Sequence, residues 1–411
     1  MFGKNFDFFT NSLRYLFRCA IIKGNYFERV LTHMFQEKFT MSGIDRFGKD
    51  GCFTDSFRFS VQSACSDCMV VTASSRYEGE AAPQIRFFLI RDGAVKPIYE
   101  SHLYTIGKQN EWTRQQWRVP PMFHPALHAE IEIIIPEGTK LMLREFHNSY
   151  GNPDRWKDYG VRFNAHLGFT GTAPANSPIA VELAAQSGFS TCIINPKEIA
   201  DGELVCMHDS LGGVAKYARQ ADGSLVDDER SIYEMTYPEM DRWDYGLRKD
   251  EVFRGTRLLK LEDFFAICSK TGMKPMFSAH QGAVRISGWL RIQKMLQKYN
   301  LTPYLHVKAP CMEVLELAYS IFGDSIDGYT LNYFAPEKLA ASPLAEGKCR
   351  LVIEPMIQKL NEDLVHQALD YGFQVSAFNL KRTSMEEYKK AIDWGITEFT
   401  EDHHCSMGLN W

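Results

Sequence analysis

Hydrophobic positions follow two rhythms along the 411-residue chain, and the change between them divides it. From about residue 45 to 150 the period is two. SFRFSVQ, CMVVTAS, QIRFFLIR, EWTRQQWRV, HAEIEIIIP and TKLMLREF are short alternating or β-rich runs separated by Gly, Pro, Asp and Asn. That spacing predicts an antiparallel, jelly-roll-like β-sandwich. NSYGNPDRWKDYG, residues 148–160, reads as a polar connector, and after it strand and helix patterns alternate. Strand-like runs fall at 161–166, 191–196, 273–279, 303–308, 325–331, 350–355, 373–379 and 396–400. Between most of them lie helical patterns such as SPIAVELAAQS, LEDFFAICSKT, ISGWLRIQKMLQKY and MEVLELAYSIF, with NEDLVHQALDYG and SMEEYKKAIDWG each stopping on a glycine. Eight strands alternating with helices predict a (β/α)₈ barrel. ELVCMHD, residues 203–209, is read as an extra strand close to the second one. The expected layout is therefore an N-terminal extension over 1–40, a β-sandwich over 41–150 and a barrel over 151–411. The extension mixes aromatic and basic residues at roughly helical spacing, and the composition changes at Met41.

Composition narrows the partners. A chain that is 45% hydrophobic and 24% charged, with a formal net charge of −5, belongs to the globular class and gives no reason to expect nucleic acid. A small molecule is the expected partner. In the β-rich part, Tyr99, Tyr104, Trp112 and Trp117 are either core residues or stacking platforms for carbohydrate. The ten cysteines lack metal-type pairing apart from Cys65 and Cys68, and Cys192 and Cys206 sit in apolar runs, which points to a reducing cytoplasm. No run reaches the roughly 18 apolar residues of a membrane span, and the N-terminus lacks a signal-peptide pattern.

In a barrel of this type the working face lies at the C-terminal ends of the strands. His166, Asn195, Lys197, His208, Asp209, Ser278, His280, Lys308, Glu354 and Asn379 all fall at or just past such ends. Histidine carries a proton either way near neutral pH, so His166 and His208 at two strand ends are a candidate acid–base pair.

The order His166-x-Gly168, Ala173-Pro174-x-Asn176-Ser177, helix, strand, Asp201-Gly202, strand, His208-Asp209 resembles the glycerophosphodiester phosphodiesterase family, over roughly residues 160 to 405. The resemblance implies hydrolysis of a small phosphodiester of lipid or glycerol metabolism, with His166 and His208 as acid and base. Asp209 would either orient His208 or protonate the leaving group, and a substrate hydroxyl beside the phosphate can attack first to give a cyclic phosphate. It also implies a divalent cation, calcium or magnesium, held by a loop glutamate, a Glu-x-Asp pair and a later glutamate. This chain departs there: Leu167 follows the first histidine, and Ala175, Ile193, Asn195 and the Ser278-Ala279-His280 segment occupy the ligand positions. With three negative ligands gone, none of these residues is expected to ligate a metal, and tight binding at the usual place is not expected.

A substitute is at hand. Strand alternation places 193, 195 and 197 on one side, where Lys197 can hold the phosphate as a point charge. Bacterial phosphatidylinositol-specific phospholipases C are similar in using a basic side chain in place of a metal. Asn195, His280, Lys308 and Glu354 complete the candidate phosphate or substrate contacts, with Glu354 replacing a missing acid or pairing with Lys308. His403 and His404 follow Glu401-Asp402 near the family's closing Thr-Asp. Two alternatives stand beside a metal-free hydrolase. One is a non-catalytic barrel that binds phosphorylated or sugar ligands; the other is a metal site rebuilt from Asp209 and Glu354.

Overall fold

The computed structural model describes residues 51–61, 69–150, 161–379 and 385–402. The expected N-terminal extension, Cys65 and Cys68, most of the connector, the side chain of Asn379 and the His403-His404 pair lie outside those residues.

Eight parallel strands close into a barrel: Arg162–His166, Thr191–Ile194, Lys274–Ser278, His306–Ala309, Gly328–Leu331, Arg350–Ile353, Gln374–Asn379 and Glu398–Glu401. Each falls on a run expected to be a strand. The last pairs with the first in the register Arg162↔Glu398 through Ala165↔Glu401, which closes the ring. Apolar residues repeating at helical spacing pack the outer helices on the wall, as with Phe264, Phe265 and Cys268 on Leu261–Thr271. Capping fixes where the first helix begins. Ser177 accepts the Ala180 amide, and Pro178, which lacks an amide hydrogen to leave unpaired, opens Pro178–Gln186. Gly168, at φ +83°, lets the turn after His166 press on that helix, where a Cβ would lie 2.5 Å from the Ala180 methyl.

Residues 51–150 form two five-stranded, largely antiparallel sheets. Leu127–Ile134 is buried at every second residue, as its alternation requires. Phe87 of one sheet meets Trp117 of the other, ring centroids 6.2 Å apart. Trp117, Tyr99 and Tyr104 are fully buried, so of the two readings for these aromatics, core or carbohydrate platform, they take the first. Trp112 is half-buried, with the Arg144 guanidinium 3.9 Å and that of Arg76 5.5 Å from its ring centroid. The sheets join the barrel side through Tyr99 on Phe169, Phe123 stacked on Phe253, and a 2.7 Å Arg91–Asp250 ion pair.

Between the second and third barrel strands the chain makes a long excursion over 195–260. ELVCMHD contributes no barrel strand: Leu204–Cys206 pairs antiparallel with Pro196–Glu198 in a two-stranded ribbon. A separate small core, including Val205, Met207, Ile232, Met235 and Met240, supports the excursion. The carboxylate of Glu198 ties the ribbon to the helix Ile286–Lys298, accepting the Arg285 amide at 2.8 Å and Arg291 Nη2 at 2.9 Å. Among the described residues no helix is long and apolar enough to cross a membrane.

Candidate active site

His166 ends the first barrel strand, half-buried, with Nδ1 2.8 Å from Oδ1 of Asp402, just past the last strand. Closure of the ring makes these two strands neighbours, so residues 236 positions apart in sequence meet side by side. The Thr170 hydroxyl donates to the same carboxylate oxygen at 2.7 Å, and the Gly171 amide donates to the Asp402 carbonyl at 2.8 Å. The edge of Phe378 supports the imidazole, with ring centroids 5.2 Å apart.

His208 follows the ribbon and is exposed, its Nδ1 3.0 Å from Oδ1 of Asp209. Oδ2 of Asp209 accepts the Tyr217 hydroxyl at 2.6 Å and pairs with Lys216. Burial would raise the Asp209 carboxyl, but hydrogen bonds from Lys216, Tyr217 and His208 outweigh it and hold it well below the usual carboxylate range. The carboxylate of Asp209 is thus held ionised beside Nδ1 of His208. Both imidazoles are thus bound at Nδ1 by a carboxylate, and their Nε2 atoms make no hydrogen bond among the described residues. A carboxylate on Nδ1 selects the tautomer in which Nε2 does the proton transfer.

Electrostatic contacts link the other side chains of the mouth. The His208 and His280 rings lie 6.4 Å apart. Burial lowers the His280 pKa, and the charges of Lys197, His208 and Lys308 lower it further. Lys197 is buried on the ribbon. Burial lowers its pKa, while Asp209 pulls the other way. Its ammonium makes no hydrogen bond or ion pair among the described residues. Because Pro196 starts the ribbon beyond Ile194, Lys197 stands on that ribbon and not on a continued barrel strand as the alternation argument required. Asn195 donates through Nδ2 to the Ser278 carbonyl at 3.2 Å, and its Oδ1 is buried without a partner.

Of the two expectations for Glu354, replacing a missing acid or pairing with Lys308, the structure shows the pair. The two side chains form a fully buried ion pair inside the barrel. Glu354 also accepts Ser376 at 3.0 Å and Thr400, while the Lys308 ammonium lies 4.2 Å from the Phe378 ring centroid. Their charges are used on each other.

The donor set does not fit a hard cation. Ile193 is fully buried hydrocarbon, Asn195 and Ser278 are neutral, and Lys197 brings an ammonium to the same end of the barrel. The available carboxylates are committed elsewhere: Asp209 to Lys216, Tyr217 and His208, Glu354 to Lys308, and Asp402 to His166. Among the described residues no three His, Cys, Asp or Glu side chains gather as a metal site requires, and Asp209 and Glu354 do not rebuild one.

Two residues that contact the candidate site escaped the sequence reading. Asp402 is legible only through the pairing of the last strand with the first. Lys249 lies in the excursion, in a stretch with no strand or helix periodicity, and donates to the Thr170 and Gly171 carbonyls at 2.8 and 3.2 Å.

The fold and its mouth define a (β/α)₈ barrel carrying two carboxylate-bound imidazoles at the catalytic face. Among solved structures, the chain is similar to a protein from Silicibacter pomeroyi assigned as a glycerophosphoryl diester phosphodiesterase. The two share 18% identity over 59% of this chain and 90% of that one, at a TM-score of 0.51. It also matches an Oleispira antarctica phosphodiesterase solved with the product sn-glycerol-3-phosphate (17% identity, 61% and 96% coverage, TM-score 0.49). A third match is a glycerophosphodiester phosphodiesterase from Agrobacterium tumefaciens (15%, 59% and 96%, TM-score 0.48). At such identities the likeness is one of fold. No family model matches the chain, and no curated protein matches it.

Proposed function

We propose that this protein is a divergent phosphodiesterase of the glycerophosphodiester phosphodiesterase type, cleaving a small phosphodiester by acid–base catalysis between His166 and His208 without the usual cation. The observation that carries the reading is the paired arrangement of imidazole and carboxylate: His166 on Asp402 and His208 on Asp209, each leaving Nε2 for the substrate. One imidazole takes the proton of the attacking hydroxyl while the other protonates the departing oxygen, contributing about 10²–10⁴-fold in rate. Charge building on the non-bridging oxygens needs a positive partner, and Lys197, a buried residue whose ammonium makes no ion pair among the described residues, is the group that can meet it. His280 adds a second donor on the same side.

The supporting layout is a β-sandwich accessory domain over 41–150, on the strength of the two sheets meeting at Phe87 and Trp117, and a barrel domain over 151–411. A reducing cytoplasm suits the free thiols of Cys192, Cys206, Cys268 and Cys349. Purified protein assayed on glycerophosphocholine and related diesters, with and without chelator, tests the proposal. Turnover that survives chelator and disappears in His166→Ala supports it. Absence of turnover across the panel overturns it. The same absence with phosphate esters still bound selects a non-catalytic binding barrel, which the unpaired ammonium of Lys197 would equally serve.

A further inference from the structure

The excursion supplies more than His208. Its exit segment returns to the barrel at Lys249, whose ammonium donates to two consecutive carbonyls, Thr170 at 2.8 Å and Gly171 at 3.2 Å. Those two residues are the ones that fix Asp402. The Thr170 hydroxyl reaches its carboxylate at 2.7 Å and the His166 carbonyl is also held by that hydroxyl, at 3.1 Å, while the Gly171 amide holds the Asp402 backbone. Asp402 in turn sits 2.8 Å from Nδ1 of His166. One unbroken chain of hydrogen bonds thus runs from the excursion to the first imidazole.

We propose that Lys249 is a positioning residue, an ammonium clamp by which the excursion fixes the Thr170–Gly171 turn and, through it, the Asp402–His166 pair. The proposal rests on His166 acting in phosphodiester cleavage and adds to that reading the residue that controls its geometry. A lysine is suited to the task because three donors on a flexible stem can serve two carbonyls at once, and the positive end also favours the ionised form of Asp402. The charged groups around it are few. Asp402 faces it from the barrel, with His166 behind; on its own segment Arg248 lies over Tyr217, and Asp250 is taken by Arg91 of the first unit. Burial pulls the Lys249 pKa down to about 8, with Asp402 opposing, so the clamp releases on the alkaline side of neutrality.

The test uses the full chain, with Lys249→Met and Lys249→Arg beside His166→Ala. Lys249→Met should lower kcat about tenfold to a hundredfold, the range expected when a reacting group is misplaced by a fraction of an ångström, with KM within about threefold. The parent should lose kcat as pH passes about 8, and Lys249→Arg, which stays charged, should recover most of the activity and keep it into the alkaline range. A second readout needs no turnover. The His166 ring resonances should show an inflection near pH 8 in the parent that is missing in Lys249→Met. An unchanged kcat and alkaline limb in Lys249→Met, or a His166 inflection that persists in it, overturns the clamp. If His166→Ala keeps full activity, the catalytic reading falls while the resonance titration still decides the clamp.

Discussion

The two ends of the barrel treat charge in opposite ways. At the bottom, Asp327, His306, Arg350 and Glu398 lie where their strands begin, and each charged group touches a partner. Arg350 bonds Asp327 at 2.8 Å and pairs with Glu398, His306 Nδ1 is 3.1 Å from Asp327, and Asn164 donates to Glu398 at 2.7 Å. At the mouth, Lys197 is buried with no ion pair or hydrogen bond to its ammonium among the described residues, and there two imidazoles each keep one nitrogen unbound. Removing a charge from water costs several kcal/mol unless a partner offsets it. The bottom meets that cost from within the chain, whereas the mouth leaves it to be met by something that binds. In a fold whose working face is the mouth, an unmatched buried cation is therefore the more informative sign of function than a matched network of equal size.

Four measurements sharpen or break this contrast. The largest effect is expected for His166→Ala and His208→Ala in a steady-state assay on a glycerophosphodiester, each lowering kcat about 10²–10⁴-fold while thermal midpoints move little. Next comes Arg350→Met, which strands Glu398 and Asp327; urea unfolding should report a loss of about 3–5 kcal/mol, with kcat per folded molecule unchanged.

The third is acid sensitivity. Burial holds His306 below its ordinary pKa, so the unfolded chain binds the proton more readily and stability falls as pH drops through about 6.5. Asp327 and Glu398 are held down, despite burial, by His306 and Arg350, so their contribution is full above about pH 4 and is lost in stronger acid. Thermal midpoints taken from pH 7.5 to 3 should fall in these two steps, and Arg350→Met should blunt the second. The smallest effect is expected for Lys197→Met. Without ligand its midpoint should equal or exceed the parent's, by about 1 kcal/mol, because an unpaired buried ammonium is gone. Protection by inorganic phosphate, expected in the parent, should be lost. Equal protection in both proteins would assign the anion to another group.

Much of this architecture was legible in the chain because the barrel strands and helices obey local rules. Apolar strand-like runs alternating with apolar stripes of period 3.6 located all eight strands, and His166 fell at the end of the first. What escaped was set by distant pairing. Asp402 gains its role only when the last strand meets the first, and ELVCMHD reads as any buried strand until its partner Pro196–Glu198 is known. Lys308 and Glu354 fall at neighbouring strand ends, so their pairing could be named from the sequence as one of two alternatives, but only the closed barrel decides for it. The aromatic residues of the first sheets present the same ambiguity, since alternation says that one face is buried without saying what covers the other.

His166 belongs to the barrel wall, while His208 hangs from a lobe stabilised by its own cluster around Met207 and Met235. On the proposed mechanism, the two imidazoles therefore answer to separate opening equilibria. Gentle warming or dilute denaturant should disarm the chemistry before the barrel melts, so that loss of turnover runs ahead of loss of circular dichroism and reverses on cooling.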